Sequence, residues 1–93
     1  MTIGTMTMSL VIRDSQSLKD KRRVIKSLKD QIRNKFNVSV AEVDCQDHHQ
    51  HAVLGFAIVS GDGRFANTVL NKVVDFVQLF HQIQLVDYEV EML

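Results

Sequence analysis

Three groups of side chains in this 93-residue sequence are of types that do chemistry. The first is a run of cations. Lys19, Lys21, Arg22, Arg23, Lys26, Lys29, Arg33 and Lys35 supply eight of the eleven Lys and Arg residues. An array of ammonium and guanidinium groups matches phosphate oxygens, because each neutralised phosphate releases condensed counterion. On a helical wheel, Lys19, Arg22, Arg23, Lys26, Lys29 and Arg33 spread over the flank and back of an apolar stripe. These six form a candidate RNA-binding row, interrupted only by Asp20 and Asp30. A plainly solvated helix would need the same charges, with Lys26 and Asp30 paired at i,i+4.

The second group is Cys45, Asp47, His48, His49 and His51. Thiolate, carboxylate and neutral imidazole are ligands that transition metals take. A straight strand would put residues 45, 47, 49 and 51 on one side, but a polar connection of this kind bends. Structural zinc sites bring two separated pairs of ligands, and His81 is the only other histidine. The sequence therefore assigns no metal and no cofactor. Cys45 as a nucleophile would need an electropositive, partly exposed setting. Asp44 and Asp47 flank it, an acidic rather than electropositive setting, so a structural cysteine is expected. The third group, Ser60-Gly61-Asp62-Gly63, lacks the lysine and the length of a phosphate loop. Asp62 would repel phosphate, and a turn carrying a helix N-cap is the reading. With no acid–base pair and no nucleophile–base pair that can be placed in a pocket, no catalytic residue is assigned and a non-enzymatic protein is expected.

These groups are positioned by six elements. Residues 2–13 alternate, with Met6, Met8, Leu10 and Ile12 on one side and Thr5, Thr7 and Ser9 on the other, which predicts a strand. Ser17 with Asp20 makes a capping-box-like helix start, and Leu18, Val24, Ile25, Leu28, Ile32 and Phe36 give the apolar stripe. Asn37, able to adopt the left-handed conformation, is expected to close that helix. Residues 38–45 predict a second strand. A parity slip near Val40-Ala41 favours a start at Val40 over a bulge. Ala52 to Ser60 is apolar on both faces, as a central strand is. Phe65, Val69, Val73, Phe76, Val77 and Phe80 predict the buried face of a second helix, widened by Leu70 and Val74. Val86, Tyr88, Val90 and Met92 alternate with Asp87, Glu89 and Glu91 in the last strand.

The order β-α-β-β-α-β predicts an α+β, ferredoxin-like fold over residues 1–93. Two helices would cover one face of a four-stranded antiparallel sheet, with the first and third strands central. By parity the open face presents Thr5, Thr7, Ser9 and Val11, then Val53, Gly55, Ala57 and Val59, then the acidic row Asp87, Glu89 and Glu91. It has no stacking aromatic of the kind RNA-recognition sheets use. A flat strip of Val53, Gly55, Ala57 and Val59 suits a homodimer seam instead.

Bulk properties agree with such a domain. The chain is 45% hydrophobic and 24% charged, with zero formal net charge. That zero hides an asymmetry of +6 over residues 1–35 and −6 over residues 36–93. Such halves hint at nucleic-acid contact or at association between unlike faces. A single cysteine, no signal-peptide pattern and no long apolar run lead to the expectation of a cytoplasmic protein that does not engage a membrane.

The blocks Ser17-Leu18-Lys19-Asp20-Lys21-Arg22-Arg23-Val24-Ile25 and Phe36-Asn37-Val38-Ser39-Val40-Ala41-Glu42-Val43, followed by Gln46-Asp47 and Gln50, resemble the YlxP-like family of small bacterial proteins. The resemblance runs the full chain. It implies a ferredoxin-like fold, no accepted catalytic residues, and, since members are often encoded beside translation and ribosome-maturation factors, RNA or the ribosome as partner. Relatives tend to carry an aromatic residue at the position of His49 and a basic one at His51, where this chain has histidine at both.

Overall fold

The alternation of the first dozen residues becomes a strand, β1 (Thr2–Ile12), with Met6, Met8, Leu10 and Ile12 at most 1% exposed. The computed structural model describes all residues, 1–93. After β1 come helix α1 (Leu18–Lys35), strands β2 (Ser39–Asp44) and β3 (His51–Ser60), helix α2 (Gly63–Val77) and strand β4 (Ile83–Met92). The strands form one antiparallel sheet in the order β2-β3-β1-β4. The first and third strands are central, each with alternate side chains buried under the helices. Both helices lie on one face, and the core between them and the sheet joins Met6, Met8, Leu10, Leu54 and Phe56 to Ile25, Leu28, Ile32, Leu70, Val73 and Val77. This is the ferredoxin-like α+β fold expected from the element order.

Local chemistry fixes where the helices begin. The Ser17 hydroxyl accepts the N–H of Asp20 at 3.1 Å, and the Asp20 carboxylate accepts the N–H of Gln16 at 3.3 Å. Asp62 caps α2, accepting the N–H of Arg64 at 2.9 Å, so the glycine-flanked turn is the N-cap that its residues predicted. Gly4 faces the core, and a Cβ there would come within 3.1–3.2 Å of Ile58, Leu70 and Met92 side chains. The bare backbone lets α2 settle onto β1.

Four local expectations are corrected. Asn37 is not a left-handed cap: α1 closes at Phe36, in extended backbone, because the chain runs straight on into β2. The edge ring contact of Phe36 with Phe76, at 5.7 Å, ties that exit to α2. Strand β2 begins at Ser39 rather than Val40; its pairing is regular through Val40-Ala41, where the sequence parity slips, and a bulge comes later, between Glu42 and Asp44. Phe65 is 59% exposed, since the buried face of α2 is centred on Ala66, Leu70, Val73, Val74 and Val77. In β4 the register shifts as Ser9 pairs with Asp87 and Leu10 with Leu85. Val86 is the extra residue, 58% exposed, and out of phase with Tyr88.

Candidate functional site

The outer side of α1 carries the cations, from Arg23 beside the β1–α1 and α2–β4 connections to Arg33 at edge strand β2. Lys19, Arg22, Arg23, Lys26 and Arg33 are exposed and Lys29 is half-buried. Arg33 is engaged with the fold: its Nη2 donates to the carbonyl of Val40 at 2.8 Å, and its Nη1 lies 3.6 Å from Asp30. Lys26 pairs with Asp30 at 2.8 Å, one turn on. The hydrogen bond from Lys26 is the main cause holding the Asp30 carboxyl below its ordinary 3.8. Lys19, Arg22, Arg23 and Lys29 have no carboxylate partner in the three ion pairs of the structure. On the other flank Lys35 stands 5.0 Å over the Phe76 ring of α2. The structure thus leaves four of the six predicted cations free and places all six on one side of one helix.

Lys21 sits in the same basic run and behaves differently. It is fully buried, ion-paired with Glu42 of β2, and its Nζ also donates to the carbonyls of Cys45 at 2.7 Å and Gln46 at 3.4 Å. Glu42 Oε2 is buried with this ammonium as its sole partner. A buried charge persists only when it is paired and its donors are satisfied. Sequence reasoning counted Lys21 with the basic run and missed this role. The signal was present: Lys21 shares a helical face with Ile25, Leu28 and Ile32, whose side chains are all core.

The effect of Lys21 is to fix the β2–β3 connection. Cys45 takes a left-handed φ of 59°, which costs a non-glycine residue about 1 kcal/mol or more. Its N–H bonds the Asp44 carboxylate at 2.8 Å and its carbonyl accepts both Lys21 and the N–H of His48, at 3.0 Å. Buried Ser15 donates to the carbonyl of His49 at 2.6 Å, and Gln50 donates back to the carbonyl of Ser15 at 3.3 Å. Beyond this brace the imidazoles project outward. Nδ1 of His48 and Nδ1 of His51 lie 3.2 Å apart, with ring centroids 4.3 Å apart and planes at 87°. His49 stacks beside His48 at 5.9 Å. Desolvation first, and then the neighbouring His51, His49 and Lys21, hold His48 below the ordinary 6.5. Cys45 is half-buried and free, and no group of three or more His, Cys, Asp or Glu side chains is gathered in a metal-binding cluster.

The open sheet face is less flat than parity suggested. Val43, displaced by the β2 bulge, lies over β3, and a Cβ on Gly55 would sit 2.9 Å from its Cγ1. Val53, Gly55 and Ala57 are half-buried, while Val43 and Val59 are 53% and 62% exposed. A shallow groove of about 370 Å³ runs between Thr5, Thr7, Ala41, Val43 and Ala57. At the start of α1 a second cleft, of about 410 Å³, mixes Arg13 and Arg23 with Asp14 and Asp20. Ser15 and His81 also line that cleft, but the Ser15 hydroxyl is turned to the carbonyls of His49 and Ser17 and makes no hydrogen bond to the imidazole. No helix is long and apolar enough to cross a membrane.

Comparison with known proteins places these features in context. Residues 3–90 match the family described as "Protein of unknown function (DUF503)". The chain is 37% identical over 82 residues to the "Uncharacterized protein YlxP" of Bacillus subtilis (strain 168), covering 88% of this chain and 89% of that protein. Among solved structures, the de novo designed protein Foldit4 is similar at a TM-score of 0.52 and 14% identity, over 100% of this chain and 97% of that one. A dimeric ferredoxin-like protein from an uncultured marine organism is similar at a TM-score of 0.44 and 10% identity, over 100% and 94% of the two chains. The first of these likenesses concerns the fold alone.

Proposed function

We propose that this chain, which belongs to the DUF503 family of proteins of unknown function, is a non-enzymatic accessory protein that contacts structured RNA through the exposed flank of α1. The observation that carries the reading is the free state of Lys19, Arg22, Arg23 and Lys29. All four lie on one helix flank without an acidic partner. Surface cations kept for solubility alone are commonly interleaved with acids; here neither acid of the helix pairs with these four, since Lys26 and Arg33 hold Asp30 and the Asp20 carboxylate, in the cleft that Arg23 lines, accepts the N–H of Gln16. From Lys19 to Arg33 the row extends about 21 Å along the helix axis, long enough to track several phosphates. The sheet face contributes nothing to this contact, because its outer strand is acidic and it carries no aromatic ring.

Filter retention of a structured RNA across a salt series tests the reading. Changing Lys19, Arg22 and Arg23 together to Ala is expected to weaken binding and to reduce the log–log salt slope by about two to three units. Absence of binding at low salt, or an unchanged slope in the variant, refutes it.

A second reading rests on a different observation. Val43 and Val59 stand exposed on the open sheet face beside half-buried Ala57. A second copy of the chain would cover them with its own strip, making a protein-binding rather than an RNA-binding module.

A further inference from the structure

The braced β2–β3 connection holds two imidazole nitrogens at a separation with a chemical meaning. Two ligands at about 2.05 Å from a tetrahedral zinc ion lie about 3.3 Å from one another. Nδ1 of His48 and Nδ1 of His51 are 3.2 Å apart, in rings whose planes are nearly perpendicular. The backbone beneath them is fixed from three directions: by Lys21 on the carbonyls of Cys45 and Gln46, by Ser15 on His49, and by the N–H of Ile12 on the carbonyl of Gln50 at 2.8 Å. Chelation at such a pair costs little ordering, since the loop is already ordered. The N–H of Gln50 points to Nδ1 of His48 at 3.3 Å, which marks that nitrogen as the bare acceptor and His51 as the donor of the shared proton.

We propose that His48 and His51 form a two-imidazole chelate for zinc, each ring binding through Nδ1, with water in the remaining tetrahedral positions. Binding replaces the Nδ1–H of His51 by an Nδ1–metal bond and takes the lone pair of His48 Nδ1 from the N–H of exposed Gln50, which turns to water. The proton returns through solvent to Nε2 of the same ring, so both imidazoles stay neutral and no net proton is released. With two protein ligands and no third gathered nearby, the site is open. It suits exchangeable zinc and leaves positions for an outside donor, unlike a four-ligand structural centre. It is independent of RNA contact and is tested without RNA.

Isothermal titration with zinc chloride alone, on the full chain near neutral pH, is expected to show one saturable site per chain. His48→Ala and His51→Ala should each weaken it about a hundredfold, the loss expected when a two-point attachment becomes a one-point one. His49→Ala and His81→Ala should leave it unchanged, and all four variants should keep the parent circular dichroism, since these side chains are exposed. Nitrogen-15 spectra of the imidazoles should show zinc at Nδ1 of residues 48 and 51 with Nε2 protonated in both. Lack of saturable binding overturns the proposal. So does binding that survives either single change at 48 or 51, or that falls equally with His49→Ala.

Discussion

Lys21 shows how one side chain can belong to a charged run by sequence and to the core by structure. Its neighbours Arg22 and Arg23 are exposed, yet Lys21 itself is 0% exposed and spends its donors on Glu42, Cys45 and Gln46. The ion pair brings no guaranteed net stability, because desolvating two charges offsets their attraction. Removing one partner is another matter, since it strands the other in the interior. Lys21→Met is therefore expected to destabilise the fold by on the order of 3 kcal/mol. Lys21→Met combined with Glu42→Leu should recover much of that loss, because no unpaired charge then remains. Urea denaturation of the three proteins checks both statements, and a double variant no better than the single one would show that the ammonium acts through the Cys45 and Gln46 carbonyls instead.

Among the elements, α1 carries the largest share of what the protein displays. Its inner face meets the core through Ile25, Leu28 and Ile32, while its outer flank holds the free cations. Its first turn is held by the Ser17 hydroxyl on the N–H of Asp20, with the Asp20 carboxylate returning to Gln16. Ser17→Ala leaves that N–H without its acceptor and should cost about 1 kcal/mol in thermal or chemical unfolding. Because Lys19, Arg22 and Arg23 ride on this same turn and the next, fraying there should also weaken any contact they make. The strands differ in kind. The β2 bulge pushes Val43 over Gly55, and the β4 bulge turns Val86 outward. Both irregularities lie on edge strands, where a ladder has one free side and tolerates an extra residue.

At the scale of the whole molecule, the acids that the second half of the chain puts on strands divide between the two edges of the sheet, Glu42 and Asp44 on β2 and a longer row on β4. The order β2-β3-β1-β4 puts α1 and its cations beside one edge and the row Asp87, Glu89 and Glu91 on the other. In a face-to-face pair of sheets the acidic row of β4, on an edge strand, falls at the rim. If the open face is a homodimer seam, light scattering at micromolar concentration should give twice the mass of the 10.6 kDa chain. Ala57→Arg, in the centre of that face, should return it to the mass of one chain. A single-chain mass in the parent protein, or a dimer indifferent to Ala57→Arg, rejects that seam.

The sequence by itself determined the order of elements, the split β-α-β pattern, the central place of β1 and β3, and the buried faces of β1 and β3. Each of these follows from periodicity: side chains repeat every second residue in a strand, and alternation such as Met6, Met8, Leu10, Ile12 has one solution. The caps at Ser17 and Asp62 were legible for the same reason, being contacts within four residues. What only the tertiary structure decided involves partners distant in the chain. Lys21 is buried because Glu42 and the Cys45 carbonyl, more than twenty residues away, meet it. Phe65 is exposed because the sheet lies under Ala66 and Leu70, which no helical wheel of α2 alone can locate. The pairing of His48 with His51 depends on a turn at Cys45 that alternation could not foresee, since a left-handed residue breaks the period on which the reading relied. Periodicity reports which face of an element is apolar, whereas the partner across the chain decides which polar groups that face takes inside with it.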